Sequence, residues 1–449
     1  MITGMINVFT QRGGIGTMGE ETFQNFITIL NEELIPALGC TEPIAVAYAA
    51  AKARDVLGLF PGHITVFCSG NIVKNVKSVT VPNSNGLRGI DAAATLGTVG
   101  GRAEKELEVL DDVKPEDIER TKALLAEHFC DTRLVGSVDK LYLKIQATQG
   151  QESASVTIQG HHTNITDIER NGRVLFHCDF AGQTPSLRRG DRSRLSVRSI
   201  LEFADRVEIA RIEPVLSRQI RCNMRICQEG LSAPFGAGVA GALLEGEDPS
   251  VFTVARAKAA AASEARMSGC PLPVVINSGS GNQGITVSVP VIEYVQAHGL
   301  SQEQLYRALA VSNLISIHLK YFIGDLSAFC GAVTAACGTG AALAYLEGIG
   351  YRGVADTITN TLAAVSGIFC DGAKPSCAAK ISSALDAAFL SLGMARRHSA
   401  FHPGEGVVGE DVEQTIRSVG HIGRNGMDET DQEILRIMMQ TDSVSRDLC

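Results

Sequence analysis

The stretch LSAFCGAVTAACGTGAALAYL, residues 326–346, decides the fold class because it carries no charged side chain along its whole length. It is long enough to cross a membrane as a helix. Its composition is dominated by Ala, Gly, Thr, Ser and Cys, whereas a helix that faces lipid is rich in Leu, Ile and Val. The stretch therefore predicts a tightly packed helix in the interior of a soluble protein.

The composition of the whole chain also favours a globular, mainly helical protein. Hydrophobic residues make up 45% and charged residues 20% of the 449 residues, so the chain can bury a sizeable core. The formal net charge of −9 argues against a general affinity for nucleic acid or for an anionic membrane. Trp is absent and aromatic residues total 5%, so the core must consist mainly of aliphatic side chains and Ala.

The spacing of apolar residues extends this helical pattern on both sides of the opening stretch. Further helices are predicted at residues 251–269, 302–316, 353–369 and 378–396. Near the N-terminus, one helix is predicted from Glu20, and a second is predicted with Thr41 as its cap and Pro43 in its first turn. The region between the two helical parts contains alternating patterns that predict strands, together with an Asn171-Gly172 hairpin turn.

These patterns predict an α+β fold with a mainly helical domain and an inserted mixed α/β segment. The predicted parts are N-terminal helices at residues 18–60 that pack on the main domain, the inserted α/β segment at residues 61–190, and the helical main domain at residues 195–449. A linker rich in Arg is predicted at residues 184–194.

The cysteine count is the unusual feature of the composition. The chain has twelve cysteines, and its first residues lack the basic end and long apolar stretch of a secretory signal. Outside an oxidising compartment disulfides are unusual, so free thiols or metal ligands are the better interpretations. Any single cysteine is more often a small buried hydrophobic residue than a functional one.

Three of the cysteines lie in loops next to predicted helices, two of them, Cys40 and Cys377, at helix starts. Cys370 and Cys377 flank a six-residue loop, and Cys377 precedes a helix whose exposed N–H groups favour a thiolate, as does the charge of Lys374. The spacing is neither that of a zinc knuckle nor that of a ferredoxin, so metal binding rests on weak evidence. Cys40, in Gly39–Pro43, is either a buried cap-region residue or a nucleophile, ligand or proton acceptor, and Glu42 opposes a lowered pKa.

Other candidate features allow more than one interpretation. Cys330 and Cys337 stand about 10 Å apart along the predicted helix, so at most one of them is expected to bind a given cluster. The polar, Gly-rich loop 277–284 suits a carboxylate or a phosphate, although a structural turn fits it equally well. His161 and His162 are adjacent in a strand and point to opposite faces, which favours structural roles or contacts at a domain interface.

Four of these motifs occur in an order that resembles the L-cysteine desulfidase family, which is related to the α chain of iron–sulfur L-serine dehydratases. The motifs are Gly39-Cys40-Thr41-Glu42-Pro43, Asn277-Ser278-Gly279-Ser280-Gly281-Asn282-Gln283-Gly284, Leu326-Ser327-Ala328-Phe329-Cys330-Gly331 and Cys370-Asp371-Gly372-Ala373-Lys374-Pro375-Ser376-Cys377. The resemblance covers about residue 20 to about residue 395. It implies an oxygen-sensitive [4Fe–4S] cluster and α,β-elimination from a small amino acid, and it makes the helical domain the catalytic, cluster-binding one.

The resemblance also assigns roles to particular residues. It implies that Cys330, Cys370 and Cys377 ligate the cluster, which leaves one iron open as a Lewis acid, and that Cys40 accepts the substrate's Cα proton. From the chemistry of the loop we place the contacts to the substrate carboxylate at Asn277, Ser278, Gly279, Ser280, Asn282 and Gln283. A further hypothesis is that Cys449, on a C-terminal tail, reaches the open iron; an incidental exposed thiol is the simpler interpretation.

The expected activity is conversion of L-cysteine to pyruvate, ammonia and sulfide. The same machinery would serve an L-serine dehydratase, and the sequence does not separate the two leaving groups. The pattern also allows a thiol-based metal or redox sensor without turnover, or a relative of these enzymes that binds without catalysing. We expect a cytoplasmic protein with a small amino-acid substrate, without nucleic-acid or membrane partners, and with homo-oligomer formation left open.

Overall fold

The computed structural model describes residues 18–136, 138–179, 190–246, 248–324 and 326–440. It confirms the α+β class, with a helical bulk and a mixed sheet. In chain order the α-helices are α1 (Glu20–Glu33), α2 (Thr41–Leu57), α3 (Gly70–Val76), α4 (Ile90–Gly100), α5 (Pro115–Ala126), α6 (Val197–Arg206), α7 (Ile209–Ser232), α8 (Val239–Leu244), α9 (Val251–Met267), α10 (Gly281–Ala297), α11 (Gln302–Ile323), α12 (Gly331–Leu346), α13 (Gly350–Val365), α14 (Cys377–Ala395), α15 (Val412–His421) and α16 (Asp428–Gln440). The strands are β1 (Pro36–Leu38), β2 (His63–Cys68), β3 (Cys130–Leu134), β4 (Tyr142–Gln149), β5 (Glu152–Gln159), β6 (Ile165–Arg170), β7 (Arg173–His177) and β8 (Pro273–Val275).

The helix predicted from the opening stretch is shorter than expected. Helix α12 begins at Gly331, because the residues before it are extended and Phe329 forms an isolated antiparallel bridge with Phe369. Cys330 is therefore the N-cap of α12, while Cys337 lies inside the helix and is fully buried. The prediction that one of these two cysteines packs in the core fits this position of Cys337.

The six-stranded sheet has the order β3-β2-β4-β5-β6-β7. Strands β2 and β3 are parallel and the other neighbours are antiparallel. A turn at Gly150 connects β4 and β5, and the turn at Asn171-Gly172 connects β6 and β7, as the sequence predicts for the latter. Helix α2 packs on β4 and β5, and one buried core runs from this sheet into α10, α11 and α12. The boundaries predicted at residues 60, 190 and 195 stay predictions.

The short pair of strands β1 and β8 fixes the N-terminal segment against the helical part of the chain. Its antiparallel register places Pro36 opposite Val275 and Leu38 opposite Pro273. Strand β1 is followed by Cys40 and helix α2, and strand β8 is followed by the Gly-rich loop. The pairing therefore brings two motifs that lie far apart in sequence into one region.

The described part of the predicted linker, residues 190–194, is attached to helix α1 by ion pairs. Residues 184–189 lie outside the described part of the chain, but Arg192 is buried and pairs with Glu33 of α1, with Nη2 and Oε1 2.7 Å apart. Its Nη1 also lies 3.0 Å from Oε2 of Glu32. The end of this segment is therefore held against α1 by one buried and one partly exposed ion pair.

One described helix, α14, is long and apolar enough to cross a membrane by length and composition alone. Half of its most apolar window is buried inside the protein, where α14 packs on α9, α12 and α13. A buried core helix passes the same test of length and composition. The cytoplasmic location stays a prediction.

Small residues allow α2 and α4 to pack closely, and a larger residue at Gly97 tests this contact. A Cβ atom at Gly97 would lie 2.3 Å from the carbonyl oxygen of Ala47. We expect Gly97→Ala to lower the free energy of unfolding by about 1–3 kcal/mol, because a well-packed interface must shift to accept it. Denaturant unfolding measures the change. Gly393→Ala in α14 is the control, since its Cβ would meet nothing within 4 Å, and equal destabilisation of both variants would contradict the contact.

Candidate active site

Four helices begin at one cavity, whose volume is about 110 Å³. Residues at the N-terminal ends of α2, α10, α12 and α14 line it, so the positive ends of four helix dipoles point into the same region. The lining residues from these ends are Cys40, Thr41, Glu42, Ser280, Asn282, Gln283, Cys330, Gly331, Ala332, Cys377 and Ile381. Helix N-termini favour anions, so these four helix starts stabilise negative charge in the cavity, whether on thiolates or on a bound carboxylate.

The backbone bridge before α12 brings Cys330 and Cys370 together. The amide of Cys330 donates to the carbonyl of Ile368 at 3.0 Å, and the amide of Cys370 donates to the carbonyl of Ala328 at 2.5 Å. Cys377 follows at the start of α14, after a loop that is held by an ion pair of 2.8 Å between Lys374 and Asp371. All three thiols line the cavity.

Burial controls the protonation of these thiols. It raises the pKa of Cys330 to about 12, with a further contribution from Cys370. It also raises the pKa of Cys377, although the charges of Lys380 and Lys374 act in the opposite direction. The expectation that the helix start makes Cys377 a thiolate is therefore outweighed by desolvation, and a positively charged occupant is needed to stabilise the anionic form.

Cys40 lies at the same cavity and is the N-cap of α2, a position that the sequence assigned to Thr41. The Thr41 hydroxyl instead donates to the carbonyl of Gly279 at 2.9 Å, which joins α2 to the Gly-rich loop. The Cys40 Sγ is buried, 3.8 Å from Sδ of Met267. Burial raises the pKa of Cys40 to about 12, the charge of Arg266 lowers it and that of Glu42 raises it, so Cys40 is a neutral thiol in this state.

The Gly-rich loop contributes only its second half to the cavity. Among its predicted contacts, Ser280, Asn282 and Gln283 line the cavity. Ser280 also caps α10 by accepting from the amide of Gln283.

The first half of the loop serves the surrounding structure. Asn277 is buried and donates to Oδ1 of Asn313 at 3.0 Å, and Ser278 donates to Oδ1 of Asn277 at 2.9 Å. Gly279 has a φ of +74° and presents its carbonyl to Thr41. None of these three residues lines the cavity.

His162 lies where the sheet meets the helical part, which fits the domain-interface interpretation of this residue. Its Nε2 is 3.8 Å from Oε1 of Glu42, which is too long for a hydrogen bond. Burial raises the pKa of Glu42, but His162 and Arg266 outweigh this effect and the net pKa lies below its usual value. Glu42 is therefore a carboxylate at neutral pH.

The cavity also contains charged residues that the sequence analysis missed. Arg266 comes from the C-terminal end of α9, Lys74 from α3, and Lys320 from α11. The sequence does contain a feature that points to Arg266. This charged residue interrupts a helix segment of Ala and other small residues that is buried almost throughout. Buried charges require partners or ligands.

Residues 104–436 match the family described as "Serine dehydratase alpha chain". The chain belongs to this serine dehydratase α-chain family. The match includes the Gly-rich loop and Cys330, Cys370 and Cys377, while Cys40 lies before it.

Similar proteins extend the likeness over nearly the whole chain. A UPF0597 protein of Lachnoclostridium phytofermentans is 49% identical over 417 residues, covering 93% of this chain and 100% of the relative. A UPF0597 protein of Desulfitobacterium hafniense is 48% identical, covering 93% and 97%, and one of Treponema denticola is 43% identical, covering 94% and 100%. The printed names state no substrate. The family implies an amino-acid dehydratase of the lyase type.

The serine dehydratase α-chain family is in general dependent on an iron–sulfur cluster, and the residues present fit such a group. Among the described residues no three His, Cys, Asp or Glu side chains converge as ligands of a single ion. Three thiols around one cavity can instead ligate a polynuclear cluster, whose irons are spread over several ångströms. Helix N-termini and Lys380 would offset the negative charge of the thiolates. We therefore treat Cys330, Cys370 and Cys377 as candidate cluster ligands.

The C-terminal helix is attached to the cavity through a buried ion pair. Lys74 lines the cavity, contacts the carbonyl oxygen of Cys370 at 3.4 Å and pairs with Asp431 of α16. We expect Asp431→Asn to lower the free energy of unfolding by about 3–5 kcal/mol, because it leaves the buried Lys74 ammonium without its counter-charge. Denaturant unfolding of the full chain measures this loss.

The control is Asp428→Asn on the same helix, whose pair with Lys140 is exposed and has a separation of 2.5 Å. It should change the free energy of unfolding by less than about 1 kcal/mol. A loss of similar size in both variants would contradict the role of burial.

Cys449, proposed to reach the cluster, lies outside the described residues.

Proposed function

We propose that this protein is an iron–sulfur lyase that converts L-cysteine to pyruvate, ammonia and sulfide by α,β-elimination. The observation that carries the proposal is the meeting of Cys40 with Cys330, Cys370 and Cys377 at one buried cavity. Family membership supports elimination from an amino acid, and the identity of the leaving group is our inference.

In this proposal, three cysteines hold the group and a fourth works on the substrate. Cys330, Cys370 and Cys377 would bind a [4Fe–4S] cluster, which supplies Lewis acidity to the β-substituent that leaves. Cys330 and Cys377 lie at helix starts, and the backbone bridge between Phe329 and Phe369 places Cys330 beside Cys370, which supports a shared ligand role.

Cys40 is the candidate general base. As a thiolate it would take the Cα proton of the substrate, and the nearby Arg266 charge favours that thiolate. Loss of the Cα proton and of the β-thiol gives an enamine. The enamine's imine tautomer then takes up water and yields pyruvate and ammonia, with sulfide as the other product.

An L-serine dehydratase is the second candidate, and the description of the matching family favours it. The two functions differ only in the leaving group, –SH or –OH. The protein should be purified and its cluster reconstituted without oxygen, then assayed with L-cysteine and L-serine side by side for pyruvate, with sulfide measured in the first case.

A higher kcat/KM for L-cysteine supports the desulfidase proposal. A higher value for L-serine establishes the dehydratase instead. A protein that takes up no iron and forms no pyruvate from either substrate would overturn both and favour a metal or redox sensor. The cytoplasmic location and homo-oligomer formation are proposals that this assay does not address.

A further inference from the structure

Arg266 carries a buried charge whose partner is missing from the described part of the chain. Its side chain lines the cavity and the residue is only 4% exposed. Within the described residues, its guanidinium donates to Oδ1 of Asn282 at 3.1 Å, no carboxylate lies within 4 Å of it, and its buried Nε has no hydrogen-bond partner. Burying a guanidinium in this way is costly unless an anion pairs with it.

Arg266 lines the same cavity as Cys40 and Glu42, and its charge acts on both. The charge of Lys380 acts on Cys330 and Cys377. Cys377 packs against the small hydrophobic cluster that contains Cys40, so the candidate base and the candidate cluster ligands adjoin in one cavity. An anion that pairs with Arg266 would lie beside the candidate base.

Glu42 supplies the opposite charge in the same cavity. Its Oε2 lies 3.2 Å from the Thr41 hydroxyl, which donates its proton to the Gly279 carbonyl, and its Oε1 lies 3.8 Å from Nε2 of His162. A carboxylate has capacity for several donors, so Glu42 can accept hydrogen bonds from an ammonium group. A cation and an anion that line the cavity together with Cys40 match the two charges on the substituents of an α-amino acid's Cα atom.

We propose that Arg266 and Glu42 form a zwitterion subsite, in which Arg266 binds the α-carboxylate and Glu42 the α-ammonium of the amino acid, so that its Cα–H bond faces Cys40. Asn282 supports Arg266 through its hydrogen bond. This proposal rests on the proposed function for the role of Cys40, but the binding of a free α-amino acid is a separate claim. It moves the carboxylate contact from the loop 277–284 to a residue on α9.

The test uses ligands that bind without reacting. L-Alanine has no β leaving group, L-alaninamide lacks the carboxylate, and propionate lacks the ammonium. Binding of each to the anaerobically reconstituted protein should be measured by calorimetry, for the natural protein and for Arg266→Met, Arg266→Lys and Glu42→Gln. Arg256→Met on the same helix is the matched control, because Arg256 pairs with Asp386 outside the cavity. Cluster absorbance and thermal unfolding verify that each variant is folded and loaded.

We expect Arg266→Met to weaken L-alanine binding by about 100-fold or more, while L-alaninamide binding changes little, because only the former loses a charge pair. Arg266→Lys should restore part of the affinity for L-alanine. Glu42→Gln should weaken L-alanine binding and leave propionate binding nearly unchanged. Arg256→Met should bind all three ligands as the natural protein does.

Failure of this subsite and failure of the proposed function give different results. If the natural protein does not bind L-alanine, or if Arg266→Met binds it equally well, the subsite is wrong, even if pyruvate forms from L-cysteine. If L-alanine binds in the Arg266-dependent way but neither L-cysteine nor L-serine is converted, the subsite stands and the lyase proposal fails. An equal loss of affinity for L-alanine and L-alaninamide in Arg266→Met would overturn the assignment of the carboxylate to Arg266.

Discussion

Replacing Cys330, Cys370 or Cys377 by Ser, one at a time, is expected to remove cluster binding and to lower pyruvate formation by more than about 100-fold. Replacing a residue that only orients a metal ligand already costs about 10–100-fold in metal affinity or activity. The loss of a direct ligand should therefore cost more. Iron content, acid-labile sulfide and visible absorbance of the anaerobically reconstituted variants measure cluster binding.

Cys337→Ser is the matched control for the ligand variants. Cys337 lies in the helix that Cys330 caps, but it is fully buried in the core and does not line the cavity. It should retain the iron content of the natural protein, with a cost in stability only. A Cys330, Cys370 or Cys377 variant that keeps the natural iron content and spectrum would remove that residue from the ligand set.

Cys40→Ser is expected to lower kcat by about 10²–10⁴-fold, the usual contribution of a positioned general base, while the cluster stays in place. A hydroxyl is a much weaker acid than a thiol and cannot supply the anionic base at working pH. The exchange of the substrate's Cα hydrogen with D₂O gives a second readout, and it should fall with kcat because it reports proton removal directly.

Cys68→Ser is the control for Cys40→Ser. Both thiols are buried, and burial raises the pKa of each to about 12, but Cys68 lies in β2 and does not line the cavity. It should keep full turnover per cluster. If Cys40→Ser retained full turnover and full Cα exchange with an intact cluster, the proposed base would be another residue.

The sequence could predict the fold class and the cysteine contexts because both depend on local pattern. Residues 378–396 were predicted as a helix from their spacing, and the structure has α14 at Cys377–Ala395. The start of α12 was not predictable, since an uncharged run does not show that Phe329 pairs with Phe369. That pairing, which places Cys330 beside Cys370, is set by tertiary contacts.

The geometry of the cavity could be predicted only in part. The Gly-rich loop has one local composition, yet Asn277 turns into an amide network with Asn313 while Asn282 lines the cavity. Arg266 reaches the site from a helix whose sequence has no binding motif. The pKa of Cys377 also escaped prediction, because the number of atoms that bury a thiol is a property of the fold and not of the helix start.

The central claim is that cluster-dependent elimination takes place in this cavity, and turnover against cluster content tests it most directly. Protein should be prepared without oxygen at graded iron loading, including a chelator-stripped sample, and pyruvate formation from L-cysteine measured for each. We predict a rate that rises in proportion to the cluster bound, up to about four irons per chain, and that vanishes in the stripped sample. Undiminished pyruvate formation by the iron-free protein would contradict the claim.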